Sequence, residues 1–367
     1  MILSGASDAT RAPWRDMRYV RRLMPVTVVV GALLAAMAAF LAAGGYSPAA
    51  AFIALWSGSV GSWYAFTSAT LVRAVPLMLA GGAVAVAFRA GVFNIGAEGQ
   101  LLVGAAAAAA VALALPMLGP VAIILSLIAG AGAGALWAGV AAILRTRFGV
   151  LEVISTIMLN FVALHTVSLL VRGPLQEPTH VYPQTATLVE SVQLAHVPGA
   201  GRLHVGIFIA IGILLGCGWI FRHTASGFRL LAVGESATAA EIAGQIDVLR
   251  TTRNAFVASG ALAGLAGAVE VLGVTYALYE NISPGYGYTA IAVALLAKLD
   301  PWRVLLSALL FAALEAGAGA MQRDAGVPSS VVTIIEAILI LVVIGVQALR
   351  ARESPVISSH DPARAAE

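Results

Sequence analysis

Charge is scarce in this chain. Of its 367 residues only 11% are Asp, Glu, Lys or Arg, less than half the roughly 25% typical of a soluble globular domain. Lysine occurs once, as Lys298 in "LLAKLDP". A Walker A loop needs a lysine beside a Ser or Thr, because backbone amides and the ammonium together cradle the phosphates, so the chain contains no P-loop. Cysteine also occurs once, and Cys217 lies in an apolar run; that excludes an internal disulfide and leaves the role of a small buried apolar residue. His165, His180, His196, His204, His223 and His360 are scattered without ligand spacing. Neither HExxH nor a cysteine pair accompanies them, so no metal site is expected. No nucleophile and base are placed together, and no catalytic residue is expected.

Apolar sequence is what the chain has in quantity, with 60% hydrophobic residues and a mean hydropathy of +0.93. Runs near 20 residues recur from Met24 almost to the C-terminus, each long enough to cross about 30 Å of hydrocarbon as a helix. The fold expected is an all-α polytopic membrane protein of about ten transmembrane helices. They fall at 24–43, 69–88, 98–115, 120–144, 151–171, 204–221, 254–274, 288–298, 302–320 and 329–349, and nine is the alternative because the eighth is short. The first run follows a basic tail and exceeds the apolar core of a signal peptide, about 7 to 15 residues, so it reads as an uncleaved anchor.

Lys and Arg are retained on the cytoplasmic side of a membrane. With the N-terminus inside, 17 of the 21 Lys and Arg residues fall in cytoplasmic segments; Arg172, Arg202 and Arg323 fall outside, and Arg73 snorkels at the outer end of the second span. Both termini are then cytoplasmic: a tail at 1–23, a transmembrane domain at 24–350 and a disordered tail at 351–367. The basic pI of 9.2 follows from that topology, and no nucleic-acid partner is expected. Residues 172–203 form a long, Pro-rich outer loop, and residues 222–253 a long inner one. In the inner loop Thr238 and Glu241 have capping-box spacing, alanines follow, and Gly244 is a suitable stop, so a short helix is expected along the cytoplasmic face.

The run "GVFNIGAEGQ", residues 91–100, interrupts apolar sequence with glycines and polar side chains, and "ENISPGYGYTAIAVALLA", residues 280–297, repeats the pattern about 190 residues later. In the expected topology the first faces inside and the second outside, and five helices stand on either side of the 172–203 loop. Two halves of inverted topology follow, with the paired interruptions marking a central permeation site.

These two runs, with "ISTIMLNFVAL", "LLAVGESATAAEIAGQI" and "ASGALAGLAGAVEVLG", resemble the permease subunits of ABC importers, within the sugar and branched-chain amino-acid permease superfamily. The "FNIGAEGQ" form is similar to the nucleoside-type branch associated with basic-membrane lipoproteins. The resemblance spans roughly residues 67–345 and departs at Tyr288 and Thr289, where that family usually has a Phe-Asp-Gly run. It implies a bacterial inner-membrane protein with no cofactor of its own, served by ABC ATPase subunits that carry ATP-Mg. It further implies a second homologous permease and an extracytoplasmic substrate-binding lipoprotein. Two alternatives remain open: a simple-sugar permease, and an ion-coupled secondary transporter with Glu98 or Glu315 as its ion site.

Asn94 and Glu98 share a face if their stretch is helical, and Gln100 follows. A carboxylate at membrane depth lines water or finds a partner. Glu98 reads either as a cap of the third span or partner of Arg89, or, with Asn94 and Gln100, as lining for a polar solute's route. Asn160 reads as interhelical glue or as route lining. Tyr276, Tyr279, Tyr286 and Tyr288 read as an aromatic belt or as stacking surfaces for a nucleobase. Glu235, Ala240, Glu241 and Gly244 form the expected ATPase-coupling helix, since "AAEIAG" resembles the docking loop of such permeases. Glu152, Glu270, Glu315 and Glu336 are assigned no transport role. The glycine-alanine runs from Gly130 and Gly260 are expected to be helix-packing faces.

Overall fold

The computed structural model describes residues 31, 35–328, 330–331, 333–334 and 337–338. Both expected tails and most of the tenth crossing, 329–349, lie outside them, as does Glu336. By contact the chain divides into two compact units, Met1–Phe52 with Gln322–Glu367, and Ile53–Met321. In the first, α1 (Ala35–Ala43) is followed by α2 (Pro48–Ser59), which runs on into the second; the two helices bend by 119° across their short break.

Further helices are α3 (Trp63–Arg89), α4 (Ala97–Ala114), α5 (Pro120–Phe148), α6 (Glu152–Val171), α7 (Gly206–His223), α8 (Ala225–Glu235), α9 (Ala237–Gly244), α10 (Val248–Glu270), α11 (Tyr286–Leu296) and α12 (Pro301–Asp324). Among the described residues the only β pairing is two isolated bridges, Gln184 with Tyr279 and His196 with His204. Local chemistry sets several helix ends. Pro120 opens α5 at a position where a missing N–H costs nothing, and Gly149 closes it at φ +67, a left-handed geometry that glycine adopts freely. Ser62 caps α3 by accepting from the Ala65 amide at 3.0 Å. Two helices widen into π-helical turns, α3 over Phe66–Leu71 and α10 where it continues through Val271–Thr275.

Among the described residues seven helices are long and apolar enough to cross a membrane, or eight if the bent α1–α2 pair is one span. The chain is thus an all-helical, multi-pass membrane protein. The eighth crossing, expected to be short, is an 11-residue helix, about 16 Å long, half the hydrocarbon thickness. The helix of the second span begins at Trp63 rather than residue 69, so Arg73 stands well inside that helix and not near its start.

Helices α3, α4 and α10 form the inside of the second unit. Of α3's apolar window 83% is buried, against 28% for α5 and α6; the outer helices present Ile128, Leu136, Phe161 and Leu169 outward. Helix α10 packs on α3, α4 and α5, and glycine makes that approach possible. A Cβ added at Gly264 would collide with the Gly130 carbonyl oxygen, one at Gly104 with the Gly264 backbone, and one at Gly267 with the Leu101 carbonyl oxygen. The small-residue runs are therefore packing faces, as their three- and four-residue spacing implied.

Candidate functional site

The run 91–100 leaves α3 at Arg89, turns at Gly91 (φ +70) and stays non-helical until α4 begins at Ala97. Asn94 and Glu98 therefore do not share a helix face. Asn94 folds back instead, fully buried, and pairs amide to amide with Gln100. Its Nδ2 donates to Gln100 Oε1 at 3.0 Å and its Oδ1 accepts from Gln100 Nε2 at 3.0 Å. Nδ2 also donates to Ser259 Oγ on α10 at 2.9 Å, and Oδ1 also accepts from the Gly96 amide at 2.9 Å. All four hydrogen-bonding positions of the amide are filled.

A second amide locks the same turn from α6. Asn160 Oδ1 accepts from the Gly99 amide at 2.8 Å, and its Nδ2 donates to the Ile95 carbonyl at 2.9 Å and reaches the Tyr288 hydroxyl at 3.4 Å. Thr156 Oγ1 accepts from the Ile95 amide at 3.3 Å. Asn160 thus ties α6 to the turn before α4 and to the first residues of α4, and also touches Tyr288.

Glu98 reaches neither the cap position of α4 nor Arg89. Its Oε2 accepts the Gly287 amide at 2.6 Å, and Ser283 is hydrogen-bonded to the same carboxylate. The Ser283 hydroxyl in turn accepts from the Gly285 and Tyr286 amides at 3.1 and 3.0 Å. Glu98 therefore serves the N-terminus of α11, where free amides and the helix dipole favour an anion. Gly287 has no room for a Cβ, which would strike the Glu98 backbone. The two glycine-rich runs, far apart along the chain, meet directly.

Tyr286 is buried beside this junction and Tyr288 is exposed. Beyond them, residues 272–280 are stitched to the 172–203 segment: the Leu194, Leu188 and Thr185 amides donate to the carbonyls of Leu272, Tyr276 and Leu278 at 2.8, 2.7 and 2.8 Å. The Tyr276 hydroxyl pairs with His196 Nε2 at 3.1 Å. A residue that sequence reasoning passed over, Glu280, closes the seam. Arg172 grips it with two bonds, Nε to Oε1 at 2.6 Å and an η-nitrogen to Oε2 at 2.9 Å, and Ser168 donates to it as well. The Arg172 bonds, then that of Ser168, hold the Glu280 carboxyl down at about 2.

The expected coupling helix exists as α9 with a different cap. Ser236, not Thr238, accepts the Ala239 amide at 3.3 Å, and Gln245 takes the left-handed position after Gly244. Ala240 faces inward against Val233 and Ile246, so of the four expected coupling residues Glu235, Glu241 and Gly244 are exposed. Ile242, which the sequence reading did not single out, is 77% exposed. Helix α8 sits on the end of α3: a Cβ at Gly234 would overlap the Arg89 carbonyl oxygen, and Gly91 lies against the Gly234 backbone. One backbone contact thus joins the α8–α9 pair to the run that leads to Asn94.

An all-helical, multi-pass fold with two breaks meeting among inner helices, and a helix pair seated on the nearer break, defines a membrane permease. Residues 66–346 match the family described as branched-chain amino acid transport system, permease component, and the chain belongs to it. It is 40% identical to the guanosine ABC transporter permease protein NupP of Bacillus subtilis, over 91% of this chain and 96% of that one. It is 36% identical to the glucose ABC transporter permease protein TsgB13 of Haloferax volcanii, over 88% of this chain and 89% of the other. With the nucleoside ABC transporter permease protein NupB of Lactococcus lactis the identity is 33%, over 86% and 88%. No solved structure matches the chain.

Proposed function

We propose that this chain is the permease subunit of an ATP-driven nucleoside importer in a bacterial inner membrane. The observation that carries the solute class is the 40% identity, along nearly the whole of both chains, to a permease named for guanosine. In this reading about ten membrane helices, α11 the short one, form two inverted halves with both termini cytoplasmic, and the inversion places both breaks near the midplane, where they can touch. ATP-Mg is bound by separate ATPase subunits. A second homologous permease completes the passage, and a substrate-binding lipoprotein delivers solute to the 172–203 face.

Asn94, Glu98, Gln100, Asn160, Tyr286 and Tyr288 surround the passage at its narrow part. Closure of the ATPase on α9, at Glu235, Glu241 and Ile242, pulls α8. The Gly234–Arg89 contact passes that pull to residues 91–96, and so to the amide cluster and the Glu98–Gly287 junction. Reversing charge at Glu241 together with Ile242→Asp is expected to abolish co-purification of the ATPase while the chain's membrane abundance stays unchanged. Retained co-purification would remove α9 from the docking role.

The solute is tested by uptake of radiolabelled guanosine, uridine and glucose into cells with and without the chain. Nucleoside uptake is expected to depend on the chain, to stop when ATP is depleted, and to survive collapse of ion gradients. A sugar permease is the second reading, favoured by the 36% identity to a glucose permease; chain-dependent uptake of glucose alone would establish it. Uptake that followed the ion gradient instead would identify a secondary transporter.

A further inference from the structure

Two buried glutamates stand near the start of α11, and their oxygens differ in use. Glu98 spends its carboxylate on the Gly287 amide and Ser283. Glu270, the last residue of α10 before its π-helical turn, is 4% exposed, and its Oε2 is sealed from solvent with no hydrogen-bond partner. Either protonation state of the carboxyl leaves that oxygen unserved, and a buried acceptor without a donor is costly enough to require a reason. The groups whose charges act on Glu270, or on which it acts, come from several elements. They are Arg73 on α3, Arg202 from the 172–203 segment, Tyr279 before α11 and Tyr286 within it. Neither guanidinium is bonded to Oε2: Arg73 donates to the Ala69 carbonyl at 3.2 Å. The two arginines act on the carboxyl group through charge alone and do not fill its acceptor site. Glu270 also lies 11 residues beyond Ser259, about 16 Å further along α10, so it is distinct from the saturated Asn94 cluster. It immediately precedes a π-helical turn, a distortion often found at functional positions.

We infer that Glu270 is a solute-contacting residue whose free oxygen accepts N–H or O–H donors of a neutral nucleoside passing beside α3, α10 and α11. The inference rests on the nucleoside reading above. That one oxygen has two lone pairs, so it can accept both donors of a purine that carries a ring N–H next to an exocyclic amine, as guanosine does. Inosine lacks the amine and loses one of the two bonds.

The test is competitive uptake by the assembled importer in whole cells, with labelled guanosine challenged by guanosine, inosine or uridine. Glu270→Gln keeps the shape and exchanges one acceptor oxygen for a donor. The expected result is a rise of roughly ten-fold or more in KM for guanosine, and loss of its preference over inosine, at unchanged membrane abundance and unchanged ATPase co-purification. Should that variant fail to accumulate, Glu270→Asp retains the charge and withdraws it by one methylene; raised KM at unchanged maximal rate is then expected. Unaltered KM and preference in a variant present at wild-type abundance overturn the role of Glu270 and leave the nucleoside reading standing. Wild-type cells that import glucose and no nucleoside overturn the nucleoside reading instead. In that case the glucose KM of Glu270→Gln decides the residue: a rise supports solute contact through sugar hydroxyls, and no change overturns it.

Discussion

Asn94 shows what a single side chain does in this site. It fills four hydrogen-bonding positions and thereby satisfies Gln100 and Ser259, both buried. Asn94→Ala strands those partners, and each orphaned group costs about 1–3 kcal/mol. The expected outcome is a clear fall in the melting temperature of the purified chain, with guanosine uptake lost beyond what reduced abundance explains. At Glu280 the sign of the pH effect follows from its low pKa. The carboxyl ordinarily titrates near 4.5 and is held here at about 2, so the clamp to Arg172 contributes fully above 4.5 and is lost as pH falls through about 2. The protection factors of amides across residues 172–203, which divide out the intrinsic pH dependence of exchange, are therefore expected to stay constant from neutrality to about pH 4.5 and to fall below it, whereas Glu280→Gln lowers them at pH 7. Asn94, Glu98, Gln100 and Asn160 were visible in the sequence because polar side chains stand out in apolar runs. Their partners were not, since Ser259 and Gly287 become neighbours only through tertiary packing. Glu270 and Glu280 look alike as isolated glutamates near a span end. What separates them is an orphaned oxygen in one and a two-pronged arginine grip on the other.

At the scale of elements, hydropathy located most spans to within a few residues because long apolar runs have one solution in lipid, the helix. It missed where helices break. Residues 91–96 are polar enough to suggest a turn, yet the fold of Asn94 back onto Gln100 depends on α10 and α6. The π-helical turns carry no compositional mark, and α2 escaped notice because its 12 residues are too few for a span. The glycine faces were legible from spacing, and they make a sharp prediction. Gly264 faces the backbone of Gly130, Gly134 and Gly104, with no flexible side chain to give way. Gly264→Leu is expected to prevent α4, α5 and α10 from assembling, read as loss of folded chain from membranes. Gly212, on the outer helix α7 with nothing near its absent Cβ, is expected to accept leucine at nearly wild-type abundance.

For the molecule as a whole, the sequence holds no P-loop, so the importer reading requires the motor to sit in a separate chain. The purified chain in liposomes is expected to move no guanosine when supplied with ATP, and to do so only with its ATPase and binding protein present; unaided transport would refute the importer reading. The contact between the two glycine-rich runs could not be read from one dimension. Hydropathy orders segments along the chain and says nothing of which of them touch, as residues 91–100 and the 11-residue α11 do.

The junction of α4, α5 and α10 has one more consequence. Where main chain presses on main chain there is no cushion of side chains to deform, so these three helices cannot slip past each other by small amounts; displacement would require a jump of about one helical pitch, 5.4 Å. They act as a keel. Opening and closing must be carried by the parts rigged around it: the half-length α11, the hydrogen-bonded seam along residues 172–203, and the α8–α9 ledge.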